Sequence, residues 1–328
     1  MTLKLTTTWD KVFPPSQQVA TQKVTFHNHF GIELAADLYL PRQRGKQLPA
    51  LAVAGPFGAV KEQASGLYAQ TMAERGFVTL AFDPSFTGES GGTVRDVFSL
   101  DLNTEDFQAA IDYLSNRPEV DAERLGIIGI CGWGGIALNA AANDPRIKAT
   151  VAATMYDMPR VGAQGYFDQL SAQDRYQVKQ QVSQQRIIDY AQGTYAKAGG
   201  VVDPLPQDAP DFVKQYHAYY KTARGYHPRS VNSNAGWVLQ ANESWANTKL
   251  LVHPEDLRSA VLIVHGEKAH SRYMGEATFK KLTGNNKELM IVPGATHTDL
   301  YDGGNHNYIP FARLVDFFAR YLDVTEAE

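Results

Sequence analysis

The chain holds a single cysteine, and it lies inside a glycine run, G-I-C-G-W-G-G, from Gly129 to Gly135. A thiolate is a strong nucleophile toward carbonyl carbon, so Cys131 could form and release an acyl thioester. That chemistry needs a proton acceptor, and P-G-A-T-H-T-D places His297 where an imidazole could take the thiol proton and return it to a leaving group. A carboxylate would orient the imidazole and stabilise its cation. Two are in place for this: Asp157 in M-Y-D and Glu267 in G-E-K-A-H, with Asp299 and His270 as outside choices. The oxyanion formed on attack needs two N–H donors. Gly132 follows the nucleophile, and A-G-P-F-G-A offers Phe57, because Pro56 has no N–H and Gly55 lies closer to the preceding strand.

These residues can meet only if the elements around them bring distant loops to one place. The apolar run Leu125–Ile130 reads as a strand and Gly134–Asn143 as a helix, so Cys131 sits on the corner of a G-x-nucleophile-x-G elbow. Trp133 stands where such elbows usually carry a small residue, and it is expected to shape the pocket wall. Upstream, Lys23–Asn28 and Ile32–Leu40 alternate as a hairpin, and Leu48–Ala54 reads as a buried strand. Helix Gly58–Arg75, strand Phe77–Phe82, helix Thr104–Asn116 and strand Ile147–Met155 continue an alternation that resumes at Ala260–His265, Gly275–Leu282, Glu288–Val292 and Ile309–Tyr321. The rhythm implies an α/β fold: a mostly parallel sheet with helices on both faces. His297 then follows a strand end, at the sheet edge that carries Cys131. The expected core is 1–157 with 258–328. The interval 158–257 is expected to be a helical lid, with helical runs Ser171–Gly193 and Ala209–Lys221. In it, G-Y-H-P-R-S could set Tyr226, His227 or Arg229 over the substrate, or serve only as a turn anchoring lid to core.

A length of 328 residues with 44% hydrophobic content suffices for a large buried core. Lys and Arg total 31 against 35 Asp and Glu, with no basic run, which argues against nucleic acid or a membrane surface as partner. A small-molecule substrate is expected, with self-association left open. No segment is apolar enough to span a bilayer, the start of the chain does not read as a secretion signal, and one cysteine suits a reducing compartment, so a cytoplasmic location is expected. No histidine pair has metal-ligand spacing, and no phosphate-binding glycine pattern occurs.

G-I-C-G-W-G-G, V-K-E-Q (Val60–Gln63), M-Y-D-M-P-R (Met155–Arg160), G-E-K-A-H-S-R-Y (Gly266–Tyr273) and G-A-T-H-T-D-L-Y-D (Gly294–Asp302) together resemble the α/β-hydrolase superfamily. More narrowly, they resemble its dienelactone-hydrolase-like bacterial branch, in which an elbow cysteine replaces serine. The resemblance implies an eight-stranded sheet, no cofactor, and acyl-enzyme chemistry with Cys131 as nucleophile and His297 as base. A G-x-x-D turn often supplies the acid in this architecture, and here Ala269 takes that place. The expected activity is cleavage of an ester, lactone or thioester. The other reading is a catalytically silent binding or regulatory protein with a structural or redox-responsive cysteine.

Overall fold

The computed structural model describes residues 3–43 and 45–322. Among these, eight strands form one sheet in the order β1-β2-β4-β3-β5-β6-β7-β8. β1 (Val19–His27) and β2 (Glu33–Pro41) make the expected hairpin, and β2 also runs antiparallel to β4 (Val78–Phe82). From β3 (Leu48–Ala54) through β5 (Val120–Ile130), β6 (Ile147–Ala153), β7 (Ala260–Gly266) and β8 (Lys287–Val292), every pairing is parallel. Successive side chains of a strand point to opposite faces, so near-continuous apolar runs feed two cores. Ala50, Ala52 and Ala54 pack with α2 (Leu100–Ser115) and α3 (Gly132–Asn143). Leu51 and Val53 face the other way, toward α1 (Ala64–Ala73) and α10 (Phe311–Tyr321).

Between β6 and β7 the chain carries α4 (Met158–Gln164), α5 (Ala172–Gln192), α6 (Asp211–Tyr220) and α7 (Glu243–Ala246). The termini of α5 show why the sequence reads as a helix there. Ser171 and Asp174 form a reciprocal capping box, and Gly193 ends the helix at φ 65°. After β7 come α8 (Arg272–Phe279) and, after β8, the short α9 (Asp299–Asp302). No helix among the described residues is long and apolar enough to cross a membrane.

The largest departure from the sequence reading lies at the start of α1, which begins at Ala64 rather than Gly58. Side chains claim the intervening backbone: Asp83 Oδ1 accepts from Lys61 N at 2.8 Å, and Gln63 Oε1 accepts from Val60 N at 2.9 Å. Helical bonding is thereby pre-empted. Because the strands after β2 run parallel, except for the pairing with β2 itself, their C-terminal ends share one edge. The turns after β3, β5, β6, β7 and β8 all open there.

Candidate active site

The elbow is built on backbone strain. Cys131 adopts φ 57° and ψ −126°, a region that L residues with side chains seldom occupy. Three backbone bonds hold it: Cys131 N donates to Ala153 O, while Gly134 N and Tyr156 N both donate to Cys131 O, each at 2.9 Å. Gly129 is required because a Cβ there would lie 2.1 Å from the Trp133 carbonyl oxygen. The thiol is buried at the N-terminus of α3. Burial pushes it up to about 11, against three groups that favour its anion: the Tyr301 hydroxyl and the backbone N–H of Gly132 and of Phe57. The two expected oxyanion donors therefore converge on the sulfur.

The Phe57 loop is fixed from the segment between β6 and β7. Asn232 Nδ2 donates to Phe57 O at 2.8 Å, Ser230 Oγ donates to Gly58 O at 2.9 Å, and the Phe57 ring stacks on Trp237 with centroids 4.4 Å apart. A Cβ on Gly58, at φ 85°, would meet Asn232 Oδ1 at 2.4 Å. The glycine thus lets this clamp close.

His297 is fully buried beyond β8, at the edge that carries Cys131, but its surroundings differ from expectation. Nδ1 lies 2.8 Å from Thr154 Oγ1 and 2.7 Å from Ser271 Oγ, and Nε2 lies 3.0 Å from the Tyr301 hydroxyl. No carboxylate is among these partners. Asp157 instead caps α4, accepting from Arg160 N at 3.0 Å, and lines a separate groove with Arg160 and Lys281. Glu267 is exposed and accepts from Gly294 N at 2.8 Å. Asp299 accepts from Thr296 N and Oγ1, and His270 meets the hydroxyls of Tyr156 and Tyr216. The acid that sequence reasoning sought beside the imidazole is replaced by two hydroxyls. Ser271 stands two residues beyond Ala269, and Thr154 is a β-branched residue held at φ 44° by its N–H on Val264 O. Only the position of Ser271 inside G-E-K-A-H-S-R-Y hinted at this. Burial, reinforced by His270 and His265, holds the imidazole well below its ordinary range. Thiol and imidazole are therefore both neutral at rest.

Cys131 opens on a cavity of about 370 Å³ lined mainly by Phe57, Tyr156, Met158, Tyr166, Tyr216 and Tyr301, with further apolar residues of α4 and α6. Among the described residues, no Asp, Glu, Lys or Arg lines it. Trp133 is not part of its wall. The indole turns into the core, edge-on to Phe82 and Phe107 at 5.7 and 5.3 Å. Tyr226 is also absent from the lining and is exposed. The tyrosines at the cavity are Tyr156 of M-Y-D, Tyr166 just after α4, Tyr216 of α6 and Tyr301 of α9, which sequence reasoning had not assigned to the site. Tyr216 is turned inward by α6, while Tyr226 falls past the helix end.

Among the described residues, Glu62, Asp83 and Glu89 are the group whose oxygens lie close enough to hold a metal. A protein cation already fills the centre. Lys61 Nζ lies 2.8, 2.7 and 2.7 Å from their oxygens, Lys23 reaches Glu89 at 2.7 Å, and Arg229 reaches Glu62 at 2.9 Å. Burial works to raise the Glu62 carboxyl, but Lys61 and Arg229 override it and hold it down to about 2. Charge is satisfied within this cluster by side chains of the protein itself.

The chain is similar to the uncharacterized protein PA2218 of Pseudomonas aeruginosa, with 53% identity over 98% of this chain and 86% of that protein. The crystal structure of PA2218 superposes with a TM-score of 0.95, covering 98% of this chain and 99% of that one. The thiohydrolase apmlB of Arthrinium phaeospermum is 26% identical over 90% of this chain and 96% of its own length. The structure of DcsB in complex with its substrate analogue shares the fold at a TM-score of 0.75 and 19% identity, covering 93% of this chain and all of that one, at 100%. Residues 31–299 match the family model described as X-Pro dipeptidyl-peptidase (S15 family). With its eight-stranded, mostly parallel sheet flanked by helices, the chain has the α/β-hydrolase fold and belongs to the S15 family.

Proposed function

We propose that the protein is a cysteine hydrolase that cleaves a neutral ester, lactone or thioester through an acyl thioester on Cys131, in the manner of the dienelactone-hydrolase-like enzymes its motifs resemble. The observation that carries this reading is the strained elbow, which sets a thiol at the cavity with two backbone N–H groups that favour its anion. The thiolate attacks the carbonyl carbon, Gly132 and Phe57 hold the oxyanion, and His297 takes the thiol proton and returns it to the leaving group. Water then releases the acid. The family members typically use serine in this place. A thiolate is the better nucleophile for a base whose cation has no carboxylate beside it.

The family's name points to peptides with a free amino terminus, but the cavity favours another substrate. A buried ammonium needs a counter-charge, and no Asp or Glu lines the space around Cys131. A tetrahedral adduct on a cysteine also expels thiolate before amine unless the amine is protonated first, and an imidazole held this low is a scarce proton source at neutral pH. A neutral acyl group that buries against tyrosine rings fits better, as does a leaving group that departs readily. The name of the thiohydrolase relative is consistent with a thioester. Residues 158–257 act as the lid over this cavity, and the single thiol suits a cytoplasmic setting.

One observation favours the silent reading: thiol and imidazole are both held neutral and no carboxylate completes a triad. Steady-state assays with aryl esters and acyl thioesters separate the two. Turnover that disappears in Cys131→Ala supports the hydrolase. Turnover equal in both proteins, or absent across the panel with a thiol that resists iodoacetamide, supports a binding role.

A further inference from the structure

His297 does not reach the cavity. Its ring lies behind Tyr156, Tyr216 and Tyr301, with centroids at 5.1, 5.5 and 5.3 Å, and it is absent from the cavity lining that includes all three. Of those tyrosines, one links the imidazole to the cavity that Cys131 lines. The Tyr301 hydroxyl lies 3.0 Å from His297 Nε2, Tyr301 and Cys131 line the same cavity, and the hydroxyl favours the thiolate form of Cys131. Tyr156 and Tyr216 turn their hydroxyls to each other, at 2.9 Å, and to His270. Among the described residues, the Tyr301 hydroxyl is the hydrogen-bond partner of His297 Nε2.

We propose that Tyr301 is a catalytic residue of this site: its oxygen takes the proton of the Cys131 thiol while its own proton passes to His297 Nε2. This rests on the reading of Cys131 as the nucleophile. The S–H bond and the Tyr301 O–H bond break, and new O–H and N–H bonds form, so one proton has moved from sulfur to nitrogen and Tyr301 ends neutral. The sulfur electron pair bonds to the carbonyl carbon, and the π pair moves to the oxygen held by Gly132 and Phe57. On collapse, the proton returns from Nε2 through Tyr301 to the leaving group. The relay requires Nε2 to be the acceptor at rest, so Nδ1 carries the imidazole proton and shares it between Thr154 Oγ1 and Ser271 Oγ. The hydroxyl pair accepts that proton, the place a carboxylate takes in other triads. It does so without adding a charge to an uncharged pocket.

The plain alternative is that Tyr301 only fills the core, where its ring meets Tyr219 at 5.0 Å. Tyr301→Phe keeps the ring and removes the hydroxyl. The test is the pH dependence of Cys131 alkylation by iodoacetamide in wild type, Tyr301→Phe, His297→Ala and the double variant, with Cys131→Ala as the labelling control. Loss of the donor is expected to slow alkylation at pH 8 at least about tenfold, equivalent to a rise of one pKa unit. Groups acting in series should be non-additive, so the double variant should be no slower than the slower single variant. Alkylation of Tyr301→Phe at the wild-type rate, or losses that multiply in the double variant, would overturn the relay. Should Tyr301→Phe fold poorly, 3-fluorotyrosine at position 301 supplies a same-sized, stronger donor, and it must lower the apparent thiol pKa. Acylation by an aryl ester separates the two claims. If Cys131 acylates but Tyr301→Phe does so at full rate, only the relay fails. If the thiol responds to Tyr301 but no ester acylates Cys131, the hydrolase reading fails and the catalytic role of Tyr301 falls with it, leaving only a contact that tunes the thiol.

Discussion

Two clusters of titratable side chains hang from the same edge of the sheet, and they are organised in opposite ways. Around Lys61 every charge is answered by another: one fully buried ammonium touches three carboxylates, with Lys23 and Arg229 closing the outer side. Around Cys131 there is no formal charge, because burial keeps thiol, imidazole and phenols neutral. The first arrangement answers its charges within the protein. Under the proposed hydrolase reading, the second holds acid–base capacity that is realised only when a reaction creates charge where fixed N–H donors already point. Abundance of ionisable groups is therefore a poor guide to function in this molecule, and convergence on a cavity is a better one.

If that contrast is right, damage to the two clusters should be read by different instruments. Cys131→Ala is expected to remove turnover altogether, by about 10⁴-fold or more, with no loss of melting temperature, measured on any ester or thioester that the wild type cleaves. Lys61→Met should do the reverse. Leaving buried Asp83 without its cation, and Glu62 and Glu89 with only Lys23 and Arg229, is expected to cost about 3–5 kcal/mol in urea unfolding, while the rate per folded molecule changes little. A Lys61→Met protein that is stable but inactive would erase the distinction.

His265 sharpens the contrast through pH. Both of its ring nitrogens lack a hydrogen-bond partner among the described residues, and burial, helped by Arg272 and His270, lowers it to about 3. A depressed imidazole contributes stability that is present above its unfolded value near 6.5 and is lost as pH falls from there toward 3. Wild type should therefore lose about 2–3 kcal/mol more than His265→Leu between pH 7 and pH 4, read from urea midpoints at each pH. Parallel curves would show that the site's neutrality carries no acid cost. The smallest effect expected is that of Ser271→Ala. Loss of one neutral hydrogen bond to Nδ1 should slow acylation about five- to tenfold, with Thr154→Val similar and the pair together worse than either. An unchanged rate in the double variant would mean that the hydroxyls do not position the imidazole.

Much of the site could be read from residue order. Strand, glycine turn and helix around Cys131 are local, and the strand before His297 places that residue at the sheet edge by topology alone. Gly132 and Phe57 followed from counting backbone donors around Pro56. What escaped was whatever depends on rotamer and on contacts between distant segments. Asp157 and Glu267 occupy loops at the right edge, but one is spent on capping α4 and the other on the Gly294 N–H. Trp133 has the right position for a pocket wall and the wrong direction, because the elbow throws its side chain back onto Phe82 and Phe107. Tyr301 follows His297 by four residues, the spacing that stacks side chains on one helical turn, yet only the packing of α9 under the cavity shows that its hydroxyl meets His297 Nε2 beside the cavity that Cys131 lines.

The central claim is that Cys131 becomes acylated, and intact-protein mass spectrometry after mixing with activated short-chain aryl esters and thioesters tests it most directly. The expected result is a single acyl adduct that forms on wild type, is absent from Cys131→Ala, and forms far more slowly on His297→Ala. An adduct that persists in Cys131→Ala, or ester cleavage at an undiminished rate without Cys131, would contradict the account.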